Sequence, residues 1–559
     1  MVCHAERPVS GIFAAFRTDA PMDGGTWIAA DARVDDRQTL AAALGVPHES
    51  ARSDEELILH AYMKWDVRCV EHLIGDFAFA IWDGRARRLF CARDHFGIKP
   101  LYYAHRAPWL LAGRSVDALR EHPAISDALD DVAVADFLLF GHKTDPAATT
   151  FRDIRRVPPA HTLTWSRDGG CRLHRYWELP IDEPVYRKDA DYAAELRQLL
   201  DRAVADRVRG ERAGVFFSGG LDSTAVAATA RRHAASSSIR GFCFLHESLL
   251  ADEERRYATV AAAHLGIECR FYEMDSAGWS HAGRERTPEP LVPSIDASAQ
   301  ARCLDDAADH SRIALTGEGA DNALLYEWAS YVRYLLWGGR IGRLAVDCAE
   351  FVRHSRRVPL AAVLTYPRSR LANDGAQPVI PSWISPDLVD RLHLEERWRD
   401  VMRPAASPHQ TRPAAYFSLQ LPLWQDLFDS WDPSYTGVAL DVRHPFLDLR
   451  VLRFLLSVPV IPWCREKYLL RYAFAADLPP QVRRRPKTPL PGSPEHAKIA
   501  RDGLPPVMRS PRLGAYAESA YLRALPTSTS MQAEAALRLV TFSRWLAGLE
   551  SMRVAAATD

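Results

Sequence analysis

Lysine is scarce in this chain: seven stand among 559 residues, against sixty-three arginines. Excess charge of either sign is also missing. Seventy basic against seventy-one acidic residues leave a net charge of −1, which gives no bulk attraction to nucleic acid or a membrane surface. Cysteine is sparse and unpatterned: nine residues, an odd number, with no Cys-x-x-Cys pair. That argues against a disulfide framework or a zinc ribbon and suits reduced, mostly buried thiols in a cytosol. No apolar run approaches about 18 residues and no secretory pattern opens the chain, so the expectation is a cytoplasmic protein, neither exported nor membrane-spanning. What remains is an ordinary soluble composition, 47% apolar and 25% charged, in a chain too long for a single core.

The first 170 or so residues read as short strands and turns: GIFAAF, TWIAADARV and GDFAFAIWDGRARRLFCARD, the last a hairpin turning at Asp83-Gly84. SDEELILHAYMKW has helical spacing, with Ser53 as N-cap and Glu56 completing a capping box. TLTWSRDGGCRLHRYWEL reads as a closing hairpin and PIDEPVYRKD as a linker. From Tyr192 the pattern changes to strands alternating with helices, which predicts a parallel sheet covered on both faces. Beyond Asn322 the chain reads as helical, rich in Arg and Trp.

Chemistry concentrates at two glycine turns. In SGGLDST (218–224), Gly219 and Gly220 allow a tight turn that brings amides close to an anion, and the following helix points its positive end there. Ser218, Ser223 and Thr224 add hydroxyls, and Asp222 offers a carboxylate to a hard cation, a set suited to pyrophosphate with Mg²⁺. SGG alone is as often an ordinary turn. In TGEGADN (316–322) a second strand ends in a glycine turn carrying Glu318 and Asp321, with Thr316 and Gly317 before them. Two such carboxylates are often only solvated. Beside SGGLDS they make Asp222 and Asp321 a pair of Mg²⁺ ligands at the carboxyl ends of the sheet.

SGGLDS, including Leu221, resembles the PP-loop of the ATP pyrophosphatases. Taken with GDFAFAIWD, ARDHFGIKPLYY (92–103), TGEGADN, RHPFLDLRVLRFLLSVP (443–459), KYLLR (467–471) and RRRPKTPL (483–490), the chain resembles the asparagine synthetase family over nearly its whole length. The resemblance implies two domains. Residues 1–180 would form an α+β glutaminase-like sandwich. Residues 190–559 would form an α/β PP-loop ATP pyrophosphatase domain, a doubly wound parallel sheet with a helical C-terminal extension. Glutamine-dependent members begin Met-Cys-Gly-Ile, whereas Ser10 stands before Gly11-Ile12 here and Cys3 is out of register. The family's Asn-Gly-Glu stretch appears as Asp31-Ala32-Arg33. Loss of both nucleophile and oxyanion stabiliser predicts a scaffold domain without glutaminase activity.

Members of the family without glutaminase use an amine carried by the substrate. They include β-lactam and carbapenam synthetases and the lasso-peptide cyclases, which close a macrolactam onto an Asp or Glu side chain. β-Lactam synthetase carries Tyr where Glu318 stands, and Asp321-Asn322 and DARVDDR resemble the lasso-cyclase pattern. The resemblance therefore implies an ATP- and Mg²⁺-dependent macrolactam synthetase, forming an acyl-adenylate and releasing AMP and pyrophosphate. Its partners would be a precursor peptide, a leader-binding protein and a leader peptidase. An ammonia-using asparagine synthetase, a small-molecule lactam synthetase and an ATP-binding regulatory homologue without turnover are the alternatives. Intact SGGLDS, Asp321 and Lys487 argue against the last.

By the same resemblance Lys487 contacts pyrophosphate and the adenylate, and Phe244 contacts adenine, although a strand Phe also serves as core. Glu318 is either the group that orients and deprotonates the amine or a supporting hydrogen-bond partner. Lys467 is not assigned to catalysis; a helix-start lysine paired with an acidic neighbour explains it equally. Asp252-Glu253 reads as a solvated helix start. Residues 328–371 form either an amphipathic helix with a basic face or a wall for a peptide or partner. His95 and His444 have no metal-ligand spacing.

Overall fold

The computed structural model describes residues 12–17, 24–46, 53–234, 238–250, 253–276, 278–279, 287–292, 295–355, 377–403, 407–486, 492–522 and 525–558. Ser10, Cys3, Asp252 and Lys487 lie outside them. Among the described residues the N-terminal part holds nine strands: β1 (Ile12–Arg17), β2 (Thr26–Val34), β3 (Gly75–Asp83), β4 (Arg88–Arg93), β5 (Tyr102–Arg106), β6 (Trp109–Gly113), β7 (Arg155–Arg156), β8 (His161–Ser166) and β9 (Gly170–Arg175). They form two antiparallel sheets, ordered β1-β6-β5-β7 and β2-β3-β4-β8-β9.

GDFAFAIWD shows why the run is apolar throughout. On β3, Phe77, Phe79 and Ile81 pack with Leu57, Ile58, Ala61 and Tyr62 of the helix Asp54–Trp65. The alternate residues Ala78, Ala80 and Trp82 face Leu110, Ala112 and Trp165, between the sheets. A strand covered on both faces has no solvent side to mark with polar residues. The helix Asp54–Trp65 starts as its sequence predicts, with the Ser53 hydroxyl and the Glu56 carboxylate forming a capping box.

The sheet of the second domain is wholly parallel: β10 (Ala213–Phe216), β11 (Ile239–Leu245), β12 (Glu268–Glu273), β13 (Ile313–Leu315) and β14 (Asp441–Arg443). Its order is β12-β11-β10-β13-β14. From β10 the chain winds outward through β11 and β12, then returns to the other side of β10 for β13. The strand order reverses between β10 and β13, and the crevice outside their carboxyl ends is the expected ligand position. Strand β14 corrects the wholly helical reading of the region beyond Asn322. Three residues are too few to show a strand period.

The C-terminal extension does not simply cap the second domain. Leu539, Phe542, Trp545, Leu546 and Leu549, from the helix Ser530–Thr558, share a core with Val134, Phe137 and Leu138 from the helix Asp131–Phe140 of the first part. Arg538 Nη1 donates to the Leu139 carbonyl at the end of that second helix, where unpaired carbonyls favour a cation. Buried charges cross the same boundary: Arg207, held by Asp448 of its own domain at 2.9 Å, meets Asp35 at 3.2 Å, and Arg156 meets Glu289 at 3.3 Å and Asp429 at 2.5 Å.

Candidate active site

After β10 the chain turns at Gly219, whose φ of +64° is left-handed. A Cβ there would lie 2.2 Å from the Ala258 nitrogen, so only glycine fits. Gly220 caps the helix Leu221–His233 with extended backbone, leaving the first-turn amides of Leu221, Asp222 and Ser223 without helical acceptors. The Leu221 side chain packs on the hydrophobic core, so only its amide serves the turn. Ser218 Oγ accepts from the Gly220 amide at 3.2 Å and lies 3.3 Å from Ser223 Oγ. The expectation for Thr224 is corrected: it is buried and its hydroxyl donates to the Gly220 carbonyl at 2.6 Å. It is not available to an anion.

After β13 the second turn comes alongside. A Cβ on Gly317 would meet Asp222 Cβ and the Ser223 nitrogen at 3.0 Å, and one on Gly319 (φ +96°) would strike Leu447 Cδ2 at 2.6 Å. The two loops are therefore pressed together with glycine on the contact. Thr316 Oγ1 lies 2.7 Å from His444 Nδ1 and accepts from the Glu318 amide at 3.3 Å. His444 is fully enclosed, and burial depresses its pKa to about 4, so it is a neutral support for the loop.

Between the loops lies a cleft of about 310 Å³ lined by Ser218, Gly220, Asp222, Ser223, Phe244, Thr316, Gly317, Glu318 and Asp321. All nine were candidates from the sequence; Gly219 and Leu221 shape it from behind. Sequence reasoning missed its aromatic wall. Phe216 stacks on Phe244 (5.8 Å between centroids, 14° between planes) and touches Trp431 at 4.5 Å. A strand Phe and a Trp more than two hundred residues downstream of it carry no local sign of a shared surface. Phe244 is both half-buried core and cleft lining.

The largest omission is Lys467. Its ammonium binds the Asp222 carboxylate and lies 2.8 Å from Asp321 Oδ1, with the side chain mostly buried. The expectation of an acidic neighbour for this lysine is met not along the chain but by the two carboxylates of the site. Glu466 and Lys467 both have left-handed backbone (φ 48° and 55°), which L-residues rarely adopt. The signal available was the scarcity of lysine itself. Both carboxylates raise the Lys467 pKa against the opposing effect of burial, so it is charged at neutral pH.

Glu318 has the opposite problem. Burial, then Asp321 and Asp222, raise its carboxyl pKa above the usual range, while Lys467 opposes them. A carboxylate so placed is a stronger proton acceptor than an exposed one. Glu253 is exposed and pairs with Arg256 at 2.6 Å, a solvated helix start. His95 is packed edge-on against Tyr176 and Trp177, and burial lowers its pKa to about 3.

The residues fit Mg²⁺ with a polyphosphate. Asp222 and Asp321 converge on one cationic group, glycine turns leave backbone within reach of an anion, and Mg²⁺ commonly takes one or two carboxylates with phosphate oxygens and water. Among the described residues no group of three or more His, Cys, Asp or Glu forms a metal site of its own.

The asparagine synthase family model matches residues 195–547, and a glutamine amidotransferase domain model matches 17–177. The chain belongs to the asparagine synthase family. Its members' shared chemistry is ATP-dependent amide formation, and the chain is an enzyme of that ligase class. Asparagine synthetase [glutamine-hydrolyzing] 3 of Bacillus subtilis is 27% identical over 80% of this chain and 72% of its own length. A putative asparagine synthetase [glutamine-hydrolyzing] of Mycobacterium bovis is 27% identical over 78% and 70%. Glutamine phosphoribosylpyrophosphate amidotransferase from B. subtilis aligns with 48% of this chain and half of its own, at 15% identity and a TM-score of 0.20.

In this asparagine synthase family chain the glutaminase-like part differs sharply from the cleft. Asp31, on β2, pairs with Lys99 (3.2 Å) and Arg114 (2.9 Å), which reach on to Asp441 (2.8 Å) and Asp432 (3.4 Å) of the second domain. Arg33 is buried, bidentate on Asp35 and bonded to Asp76. Among the described residues, no helix is long and apolar enough to cross a membrane.

Proposed function

We propose that the chain is a macrolactam-forming peptide cyclase of the asparagine synthase family, a lasso-peptide cyclase. The observation that carries the reading is the state of β2. Asp31 and Arg33, at positions that an active glutaminase would use to hold an oxyanion and glutamine, are committed to ion pairs within the first domain, and the two cations on Asp31, Lys99 and Arg114, are themselves tied to Asp441 and Asp432 of the second. A domain occupied in this way does not supply ammonia, so the amine comes with the substrate.

In this reading Mg²⁺ held by Asp222 and Asp321 supplies charge neutralisation for the triphosphate. The Gly219-Gly220 turn and the first amides of the following helix bind pyrophosphate oxygens, and Phe244 with Phe216 and Trp431 receives the adenine. The Asp or Glu side-chain carboxylate of the precursor peptide joins the α-phosphorus as pyrophosphate departs. The peptide's N-terminal amine then attacks the acyl carbon, Glu318 accepts its proton, and AMP leaves. Lys467 holds Asp222 and Asp321 facing the cleft, and Lys487 contacts the phosphates. A leader-binding protein and a leader peptidase would deliver the peptide.

A second reading, an ammonia-dependent asparagine synthetase, is favoured by the asparagine synthetases among its relatives. One experiment separates them. Purified protein with ATP and Mg²⁺ receives either aspartate and ammonium or a leaderless precursor peptide encoded beside the gene, with its partner proteins. AMP only with the peptide, and a peptide lighter by one water, is the expected result. AMP and asparagine in the first arm would replace the cyclase reading.

A further inference from the structure

A second and much larger cavity, about 1290 Å³, shares no lining residue with the cleft. Its walls come from both halves of the chain. Phe140 is contributed by the glutaminase-like part, Trp328 and Tyr326 by the segment that follows Asp321, Trp398 and Phe417 by the middle helices, and Met531 by the C-terminal helix. Several apolar side chains that line it are unusually open to solvent for their size: Phe417 is 46% exposed and Met531 58%.

Its polar groups are largely engaged in building the wall. Glu327 accepts from the Ala414 and Ala415 amides at 2.6 and 2.8 Å, and Arg538 donates to the Leu139 carbonyl. What faces the interior is mainly aromatic and aliphatic. The cavity adjoins the acidic loop through the backbone: Arg412, beside the wall residues Pro413 and Ala414, donates to the Ala323 and Leu325 carbonyls just after Asp321. Tyr326 stands five residues after Asp321, and its phenol feels the charge of Arg465, two residues before the lysine that binds Asp222 and Asp321.

A cavity of about 300–1,000 Å³ already encloses a drug-sized molecule. This one exceeds that range, and its lining offers little to a free amino acid carrying two carboxylates. We infer that the cavity seats the apolar run of an extended peptide substrate whose reacting carboxylate and amine lie in the neighbouring cleft. The glutaminase-like domain then survives as one wall of a substrate chamber. The inference rests on the peptide reading of the cleft and specifies what that peptide must contain.

The test uses the full chain and two fluorescein-labelled synthetic peptides, each with one internal Asp. One has an apolar half rich in Phe, Val and Ile; in the other that half is Ser and Gly. Anisotropy is measured for the wild type, Phe417→Glu and Met531→Glu, two substitutions at solvent-reachable positions, with Mg²⁺–ATP binding by calorimetry as the check on folding. The expected result is binding of the apolar peptide about tenfold tighter than the Ser/Gly peptide, a preference lost in both variants while Mg²⁺–ATP affinity is kept. Equal binding of the two peptides by wild type, or an undiminished preference in both variants, would overturn the inference. Failure of the underlying reading has a separate readout: asparagine formed from aspartate and ammonium, with no AMP released for any peptide.

Discussion

Two regions of this molecule carry carboxylates that converge on a lysine, and they differ in what else is there. At β2, Asp31 meets Lys99 and Arg114, each of which has a second carboxylate beyond it, so the charges are closed upon themselves across the domain boundary. At the two glycine turns of the cleft, Asp222 and Asp321 share Lys467, while helix amides and an aromatic wall leave space beside them. The first arrangement consumes its polar groups in structure. The second holds them ready for a ligand. Charge clustering alone does not mark a site; unfilled space beside it does.

The strongest way to break the comparison is Asp222→Ala. AMP formation should fall by about 10³-fold or more, read as AMP release with saturating ATP and Mg²⁺; retained turnover removes Asp222 from the metal assignment. Glu318→Gln keeps the shape and removes the proton acceptor. It should slow amide formation about 10²–10⁴-fold with the KM for ATP nearly unchanged, and a selective rise in KM would make Glu318 a binding group instead.

Lys467→Met leaves Asp222 and Asp321 facing one another without their cation. The nucleotide-free protein should lose about 1–3 kcal/mol of stability, and Mg²⁺ should restore part of it, because the ion replaces the missing charge. A melting temperature indifferent to Mg²⁺ in this variant would argue against a shared cation position. Asp31→Ala is the counterpart in the filled region. Stability should drop by about 1–3 kcal/mol while ATP-dependent turnover stays within about twofold, because Lys99 and Arg114 keep Asp441 and Asp432. Lost turnover at full stability would return β2 to catalysis.

The smallest effect concerns pH. His444 has its pKa depressed from 6.5 to about 4 by burial, so the unfolded chain binds its proton first on acidification. Its contribution is fully present above about pH 6.5 and is lost as pH falls towards 4. His444→Gln, which can still bond Thr316, should flatten the fall in melting temperature between pH 7 and 5. An unchanged slope assigns the acid sensitivity to other groups.

Much of both regions was legible in one dimension. The capping box at Ser53, the hairpin at Asp83-Gly84 and the alternation of strand and helix after Tyr192 are local patterns, and each formed where its period and turn residues placed it. So did the glycine turns at 218–220 and 316–319, because Gly219 and Gly319 both have a left-handed φ, and a Cβ at Gly219 would meet the Ala258 backbone at 2.2 Å. Asp31-Ala32-Arg33 was visible as a departure from the family pattern. That its charges are spent on Lys99, Arg114 and Asp76 was not.

By itself, then, the sequence determined most of the elements, the two phosphate-suited turns and the carboxylates upon them, all set by periodicity and backbone sterics within a few residues. Only the tertiary structure decided that Lys467 joins Asp222 from 245 positions away, that Trp431 walls the cleft, that β14 closes the sheet and that the last helix completes the core of the first domain. Those pairings depend on the order of strands in the sheet and on which apolar faces find one another. No window of sequence contains both partners.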